Sequence, residues 1–353
     1  MTGEFYIDGI NITSTYGIFI HEGGFDGIVS LPEMKEPDVT DWAEENGLEV
    51  DLSDPKLKAK EFEIGFATVN NNADVNGFIN TIIDGAYHNF TFTDLGVTKS
   101  LRLLSGVQFT GTILNLRIFK LRFSEDAPMS GYVYQEPVGG RYGLQGYKID
   151  GVDLSQYGIA VLEGSDAEII KIPEFKRGLE KSNSVTSGLV ADPDYMKMKS
   201  KDVRLNLLMT ASSAVSFFRN LNALIHNLIS PDEKEFYFGK NDEVYKCYYK
   251  GSSVNEFSLS GFWFEFSLVL CFISYRIKKY IYFVTSAGYL KAIDTSFTPN
   301  DGIIIFSKID SGTQIEDVVD FSKVFANGVL TITATSTIKD IDMTYSNGKL
   351  YIQ

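Results

Sequence analysis

Phe5-Tyr6-Ile7-Asp8-Gly9-Ile10, close to the start of the chain, returns as Gly146-Tyr147-Lys148-Ile149-Asp150-Gly151-Val152 with its Ile-Asp-Gly centre intact. Working outward, Tyr16-Gly17-Ile18 returns as Tyr157-Gly158-Ile159, and Leu31-Pro32-Glu33-Met34-Lys35 as Ile172-Pro173-Glu174-Phe175-Lys176. Gly47-Leu48 matches Gly188-Leu189, and Asp54-Pro55 matches Asp192-Pro193. Partners stay between 138 and 142 positions apart throughout. Ordered matches at nearly one spacing are the mark of an internal repeat, so the chain reads as a tandem duplication.

Beyond the identities, the two copies agree in pattern. Val75, Phe78, Ile79, Ile82 and Ile83 fall on one face of a helix, as do Val215, Phe218, Leu221, Leu224, Ile225 and Leu228 in the second copy. Ser212 and Ser213 suit the N-cap of that second helix, and Pro231 marks its stop. Aromatic alternating strands follow, Phe90-Thr91-Phe92-Thr93 and Phe236-Tyr237-Phe238-Gly239, and long strands close each copy at Leu114–Phe123 and Phe257–Leu270. Leu116, Ile118, Leu121 and Phe123 read as a buried face against Arg117, Lys120 and Arg122, with a bulge near Phe119. The expected fold class is mainly β (α+β): two tandem β-sandwich or rolled-sheet domains, each with one packed helix, plus a small all-β C-terminal module. The expected boundaries are 1–127 for the first repeat, 128–145 for a Pro- and Gly-rich linker, 146–279 for the second repeat and 280–353 for the module. Asn327-Gly328 and Asn347-Gly348 mark hairpin turns in that module.

The chain has 353 residues, 32 Lys plus Arg, 46 Asp plus Glu and a net charge of −14. Residues 1–145 carry −11, 146–279 are neutral and 280–353 carry −3. No cluster of basic residues could neutralise a phosphate backbone, which argues against nucleic-acid binding but not against a wall past which DNA slides without sticking. Cys247 and Cys271 cannot make a disulfide framework. No apolar run reaches membrane-spanning length, and Met1-Thr2-Gly3-Glu4 lacks the basic start of a signal peptide, so a soluble protein that is not secreted by a signal peptide is expected.

Catalytic constellations are missing. Gly140, Gly143 and Gly146 precede a strand rather than a helix, unlike a dinucleotide loop. Asn72-Ala73-Asp74-Val75-Asn76-Gly77 lacks the first and last ligands of a calcium loop and reads as a helix start. His21, His88 and His226 have no ligand spacing to Cys or Glu. No catalytic residue, no metal ligand and no cofactor are expected, and enzymatic activity is unsupported. The acidic stretch from Glu33 to Lys58 is the one feature that points to a site. It holds Trp42 beside Asp41, Glu44 and Glu45, continues through Asp51, and ends in Lys56, Lys58 and Lys60. An indole exposed there suits docking, and a loop acidic at one end and basic at the other suits head-to-tail contact between identical subunits. These eight residues are the expected subunit contact.

An Ile-Asp-Gly opening, a Tyr-Gly-Ile strand, a long loop after a Pro-x-x-Lys element, one helix and closing strands together resemble the tail-tube-like domain of phage tail proteins. The chain most resembles the distal tail protein of long-tailed phages. The resemblance implies a structural ring in the virion tail, commonly sixfold, made in the bacterial host cytoplasm. Such a ring joins the tail tube to the tip or baseplate and encloses the DNA channel, touching tube and tip proteins and no membrane. Two tube-like copies in one chain also resemble a trimeric tail hub, in which three chains supply six domains. A carbohydrate-binding adhesive β-protein is the alternative of another class, with Tyr280, Tyr282 and Tyr289 as sugar-stacking candidates.

Overall fold

The Asp8-Gly9 pair sits in the left-handed region, φ +49° and +86°, and Asp150-Gly151 does the same at +48° and +80°. Ile7 pairs with Ile10 and Ile149 with Val152, so each dipeptide is a two-residue hairpin loop whose twist matches its strands. Each aspartate also ties its turn down: Asp8 accepts from Asn89 N at 2.9 Å and Asp150 from Glu235 N at 2.8 Å. The computed structural model that carries these turns describes residues 3–113, 116–176, 180–182, 184–185, 187–191, 197–241 and 243–274, and short strands beyond. Compactness divides the chain into Met1–Tyr275 and Arg276–Gln353.

The elements of the first half are β1 (Phe5–Ile7), β2 (Ile10–Asn11), α1 (Ile12–Tyr16), β3 (Ile18–Ile20), α2 (Asp26–Val29), β4 (Val39–Thr40), β5 (Glu49–Val50), β6 (Lys60–Thr68), α3 (Val75–Asn80), β7 (His88–Phe92), β8 (Val97–Ile113) and β9 (Leu116–Glu125). Then come β10 (Tyr147–Ile149), β11 (Val152–Asp153), a 3-10 turn (Leu154–Tyr157), β12 (Ile159–Val161), α4 (Ser165–Ile170), β13 (Glu180–Lys181), β14 (Val190–Ala191), β15 (Lys201–Thr210), α5 (Ala214–Leu228), β16 (Lys234–Phe238), β17 (Glu243–Ser258) and β18 (Trp263–Phe272). The protein is mainly β, 39% strand against 16% helix, in curled antiparallel sheets. One seven-stranded sheet runs β2-β1-β7-β8-β9-β6-β3 and the other β11-β10-β16-β17-β18-β15-β12, the same order position for position.

The curl brings distant strands together. Phe5 on β1 and Phe66 on β6 stand four places apart in the sheet, yet their ring centroids are 5.5 Å apart. Ile20 N, at the end of β3, donates to Gly3 O just before β1 at 3.0 Å. Val161 N repeats that closure in the second half by donating to Gln145 Oε1 at 3.0 Å. Phe78, Phe90, Phe119 and Phe123 fill the first roll and Phe217, Phe236, Phe264 and Phe272 the second, all buried.

Several expectations need correcting. The run Phe257–Leu270 is not one strand: it holds the end of β17, a turn and most of β18. On β9 Phe119, Leu121 and Phe123 alternate with exposed Lys120 and Arg122, Ile118 is half-buried, Ser124 and Glu125 beyond them are also buried, and the side chain of Leu116 lies outside the described residues; the register shifts of that pair are written on β8. The first helix ends at Asn80 and leaves Ile83 62% exposed. In the second, Val215 is exposed although Ser213 is the N-cap as expected. Short helices α1, α2 and α4 add to the one helix per repeat. Residues 136–139 of the expected linker hydrogen-bond to α5: buried Asn220 accepts from Val138 N at 2.8 Å and donates to Gly139 O at 2.8 Å, and Arg219 donates to Glu136 O.

The second unit holds β19 (Tyr280–Val284), β20 (Leu290–Asp294), β21 (Ile303–Ile304), β22 (Val319–Asp320), β23 (Phe325–Ala326), β24 (Val329–Ile332), β25 (Ile341–Ser346) and β26 (Lys349–Ile352), six of them in one sheet ordered β20-β19-β26-β25-β24-β23. Ser346 pairs with Lys349 on either side of Asn347-Gly348. Tyr289 lies outside the described residues, as do the side chains of Tyr280 and Tyr282.

Candidate assembly interface

The acidic stretch folds as a narrow ribbon. Met34 bridges Leu57 at its root, Val39 pairs with Val50 and Thr40 with Glu49 along its length. A ribbon this short has too little surface to bury on its own and needs something to lie on. It lies on the second half of the same chain. Its tip turns at Gly47, φ +77°, where Gly47 N donates to Met198 O at 2.7 Å and Leu48 N to Ile273 O at 2.8 Å. At its root Met34 N donates to Lys250 O at 3.1 Å, and buried Tyr249 donates its hydroxyl to Pro32 O at 2.9 Å. Asn46 accepts from Met198 N at 2.8 Å, and α2 packs against β17.

Lys176 holds the centre. Its ammonium, 7% exposed, donates to Trp42 O and to Gly47 O at 2.7 Å each and pairs with the Asp41 carboxylate. A buried ammonium is tolerated only when its protons are taken up, and here two main-chain carbonyls and a carboxylate take them. The glycine at the tip is required by the same closeness, since a Cβ on Gly47 would stand 1.7 Å from Ile273 O.

The eight residues expected at a subunit contact are distributed as follows. Asp41 faces Lys176 within the chain. Trp42 is half-exposed, its indole N–H donating to Glu49 Oε2 at 2.7 Å. Glu44 and Glu45 are exposed at the tip. Asp51 accepts from Ser53 N at 3.0 Å, which holds its carboxyl below the usual range. Lys56 pairs with Asp54 at 2.5 Å and Lys58 with Glu33 at 3.0 Å, both at the surface. Lys60 does not belong with them: it is buried, donates to Ile28 O at 2.7 Å behind α2, and burial pushes its pKa down to about 7. Lys201 repeats the arrangement behind α4, donating to Glu168 O and Ile169 O, with burial lowering it to about 8.

Residue reading missed Lys176, Met198, Tyr249, Lys250 and Ile273. The repeat carried one clue, because Lys176 stands where Lys35 stands in the first copy; a self-comparison shows the match, but not that one member would be covered.

Other polar groups are structural. Asp74 caps α3 by accepting from Gly77 N at 2.8 Å. His88 lies 2.7 Å from Asp8 and 3.0 Å from Asp84; burial opposes its charge, yet the two carboxylates outweigh burial and raise its pKa. His226 packs on the rings of Tyr132 and Tyr134. Cys247 and Cys271 are both buried as free thiols, and burial raises the pKa of each. No group of acidic, His or Cys side chains among the described residues could hold a metal ion, and no helix among them is long and apolar enough to cross a membrane. No protein-family model matches the chain, and no curated protein matches it.

Proposed function

We propose that this chain is a structural protein of a phage or prophage tail, assembling with copies of itself into a ring at the distal end of the tail tube and leaving a channel for DNA. The two tandem repeat units stand side by side in that ring, and the small β module beyond residue 279 lies outside the repeat. The observation that carries the reading is the ribbon: one rolled sheet grips its neighbour of identical strand order through main-chain bonds and the buried Lys176. A contact between equivalent units that joins one face to a different face is heterologous, and such contacts close into rings or run on as filaments. Because the contact already joins two units within one chain, the hub-like arrangement is favoured over the single-unit distal ring: three chains then supply six units. The role is one of scaffold, not catalysis, and the acidic first half suits a wall that DNA passes without binding.

Negative-stain images of the purified protein test the reading. Rings with a central hole, and a native mass of three 39.4 kDa chains, are expected; six chains would restore the distal-ring form. Single chains at every concentration would overturn it, and strong glycan-array binding by those single chains would favour the adhesive reading.

A further inference from the structure

The two halves correspond residue by residue around the ribbon. Lys60 pairs with Glu125 in the first sheet and Lys201 with Phe272 in the second. The root bridges are Met34 with Leu57 and Phe175 with Met198, and the ribbon pairs are Val39 with Val50 and Glu180 with Ala191. Residues 29, 31, 34, 35, 47, 48 and 57 therefore match 170, 172, 175, 176, 188, 189 and 198, and Asp126 matches Ile273. Both long hairpins, among other register shifts, share one bulge, between Leu103 and Ser105 and between Tyr249 and Gly251, so Leu104 matches Lys250.

The matched residues differ in one respect. Val29, Leu31 and Met34, on the segment from α2 to the ribbon root that meets the second half, are 0%, 4% and 4% exposed. Their counterparts Ile170, Ile172 and Phe175 are 49%, 61% and 46% exposed, and Leu189 at the second tip is 54% exposed. On the receiving side Lys176 and Met198 are buried, whereas Lys35 is exposed and Leu57 half-buried. Gly188 keeps the left-handed turn at φ +94°, yet among the described residues nothing lies within 4 Å of where its Cβ would be. Beside the receiving strand a cleft of about 650 Å³ opens between Tyr87, Asn89 and Lys99 on one side and Met129, Tyr132 and Asn222 on the other. Among the described residues, the second half thus carries the gripping surface still exposed, and the first half carries the matching surface still exposed.

We propose that the strip Ile170, Ile172, Phe175 and Leu189 of one chain docks on the first half of a second copy, in the geometry by which the first ribbon grips the second half. Phase and partners follow from the correspondence. Phe175 N meets the bulge carbonyl of Leu104, Gly188 N meets Leu57 O, Leu189 N meets Asp126 O, and the Lys35 ammonium meets Gly188 O. Burying four apolar side chains supplies the drive, and the glycine at 188 permits the close approach of the two backbones. The inference rests on the ring reading for its closure, but the pairing itself is independent of any virion.

Disulfide trapping tests it. The pair Phe175→Cys with Leu104→Cys should give, on oxidation, a ladder at multiples of 39.4 kDa, whereas the control pair Met34→Cys with Lys250→Cys should close within single chains. The native thiols are buried and stay out of the reaction. The exposed-face variant Ile172→Asp with Phe175→Asp should reduce the native mass to one chain without lowering the melting temperature. Rings in micrographs with no ladder and no response to the double substitution would overturn this contact and leave the ring reading standing. A wild-type protein that never assembles would overturn both.

Discussion

Lys176 and Gly47 show how two residues hold a junction of otherwise ordinary loops. Lys176→Met removes the donor to the buried Gly47 carbonyl and the part-buried Trp42 carbonyl; the expected cost is about 2 kcal/mol, the usual penalty for orphaned buried acceptors, read from urea unfolding together with faster proteolysis near Trp42. Gly47→Ala should cost more than Gly188→Ala in the single chain, because only the former meets a backbone oxygen, while both share about 1–2 kcal/mol of left-handed strain. His88 is a pH-dependent group. Its folded pKa is raised, so its stabilisation is complete below the unfolded value of about 6.5 and is lost as pH rises through the higher folded value. Lys234 occupies the matching place and pairs with Asp150 at 3.6 Å. His88→Lys should therefore keep the pairing with Asp8 and flatten the loss of stability across neutral pH, as measured by urea midpoints.

At the scale of elements, α5 is fifteen residues long and buries Phe217, Leu221, Leu224 and Leu228 on one stripe, which the spacing of apolar residues already dictates. Its cap is a single hydroxyl, Ser213, accepting from Ser216 N at 3.2 Å. Ser213→Ala should lower stability by about 1 kcal/mol, seen as a lower thermal midpoint by circular dichroism at 222 nm. The matching helix α3 stops at Asn80, with its cap at Thr81 hydrogen-bonded to Phe78 O and Ile79 O; periodicity alone extends it to Ile83 because spacing registers a face and not where the chain turns away. The ribbon β4–β5 has strand formers at its pairs, Val39, Thr40 and Val50, but its flanks are acidic and it is exposed along most of its length, and the second half supplies hydrogen-bond partners at its root and tip.

At the scale of the molecule, Phe66 links the two sides of the first roll, with ring centroids 5.5 Å from Phe5, 5.4 Å from Phe78 and 5.5 Å from Phe119. Phe66→Ala should cost about 3–5 kcal/mol and lower the cooperativity of unfolding of residues 3–125, followed by hydrogen exchange. The sequence by itself determined the repeat, the long helix with its serine cap and the lack of a basic cluster along the chain, and its Asp-Gly pairs already suit the tight turns in which the fold places them. These are local matters: a dipeptide that tolerates positive φ, a 3.6-residue stripe, a sum of charges. Only the tertiary structure decided which of two equivalent lysines, Lys35 or Lys176, is buried, and that the acidic ribbon spends its hydrogen bonds on its own second half. Matching local sequences carry no record of which copy finds a neighbour, because that depends on one unit following the other along the chain, and burial belongs to the pair in contact rather than to either residue.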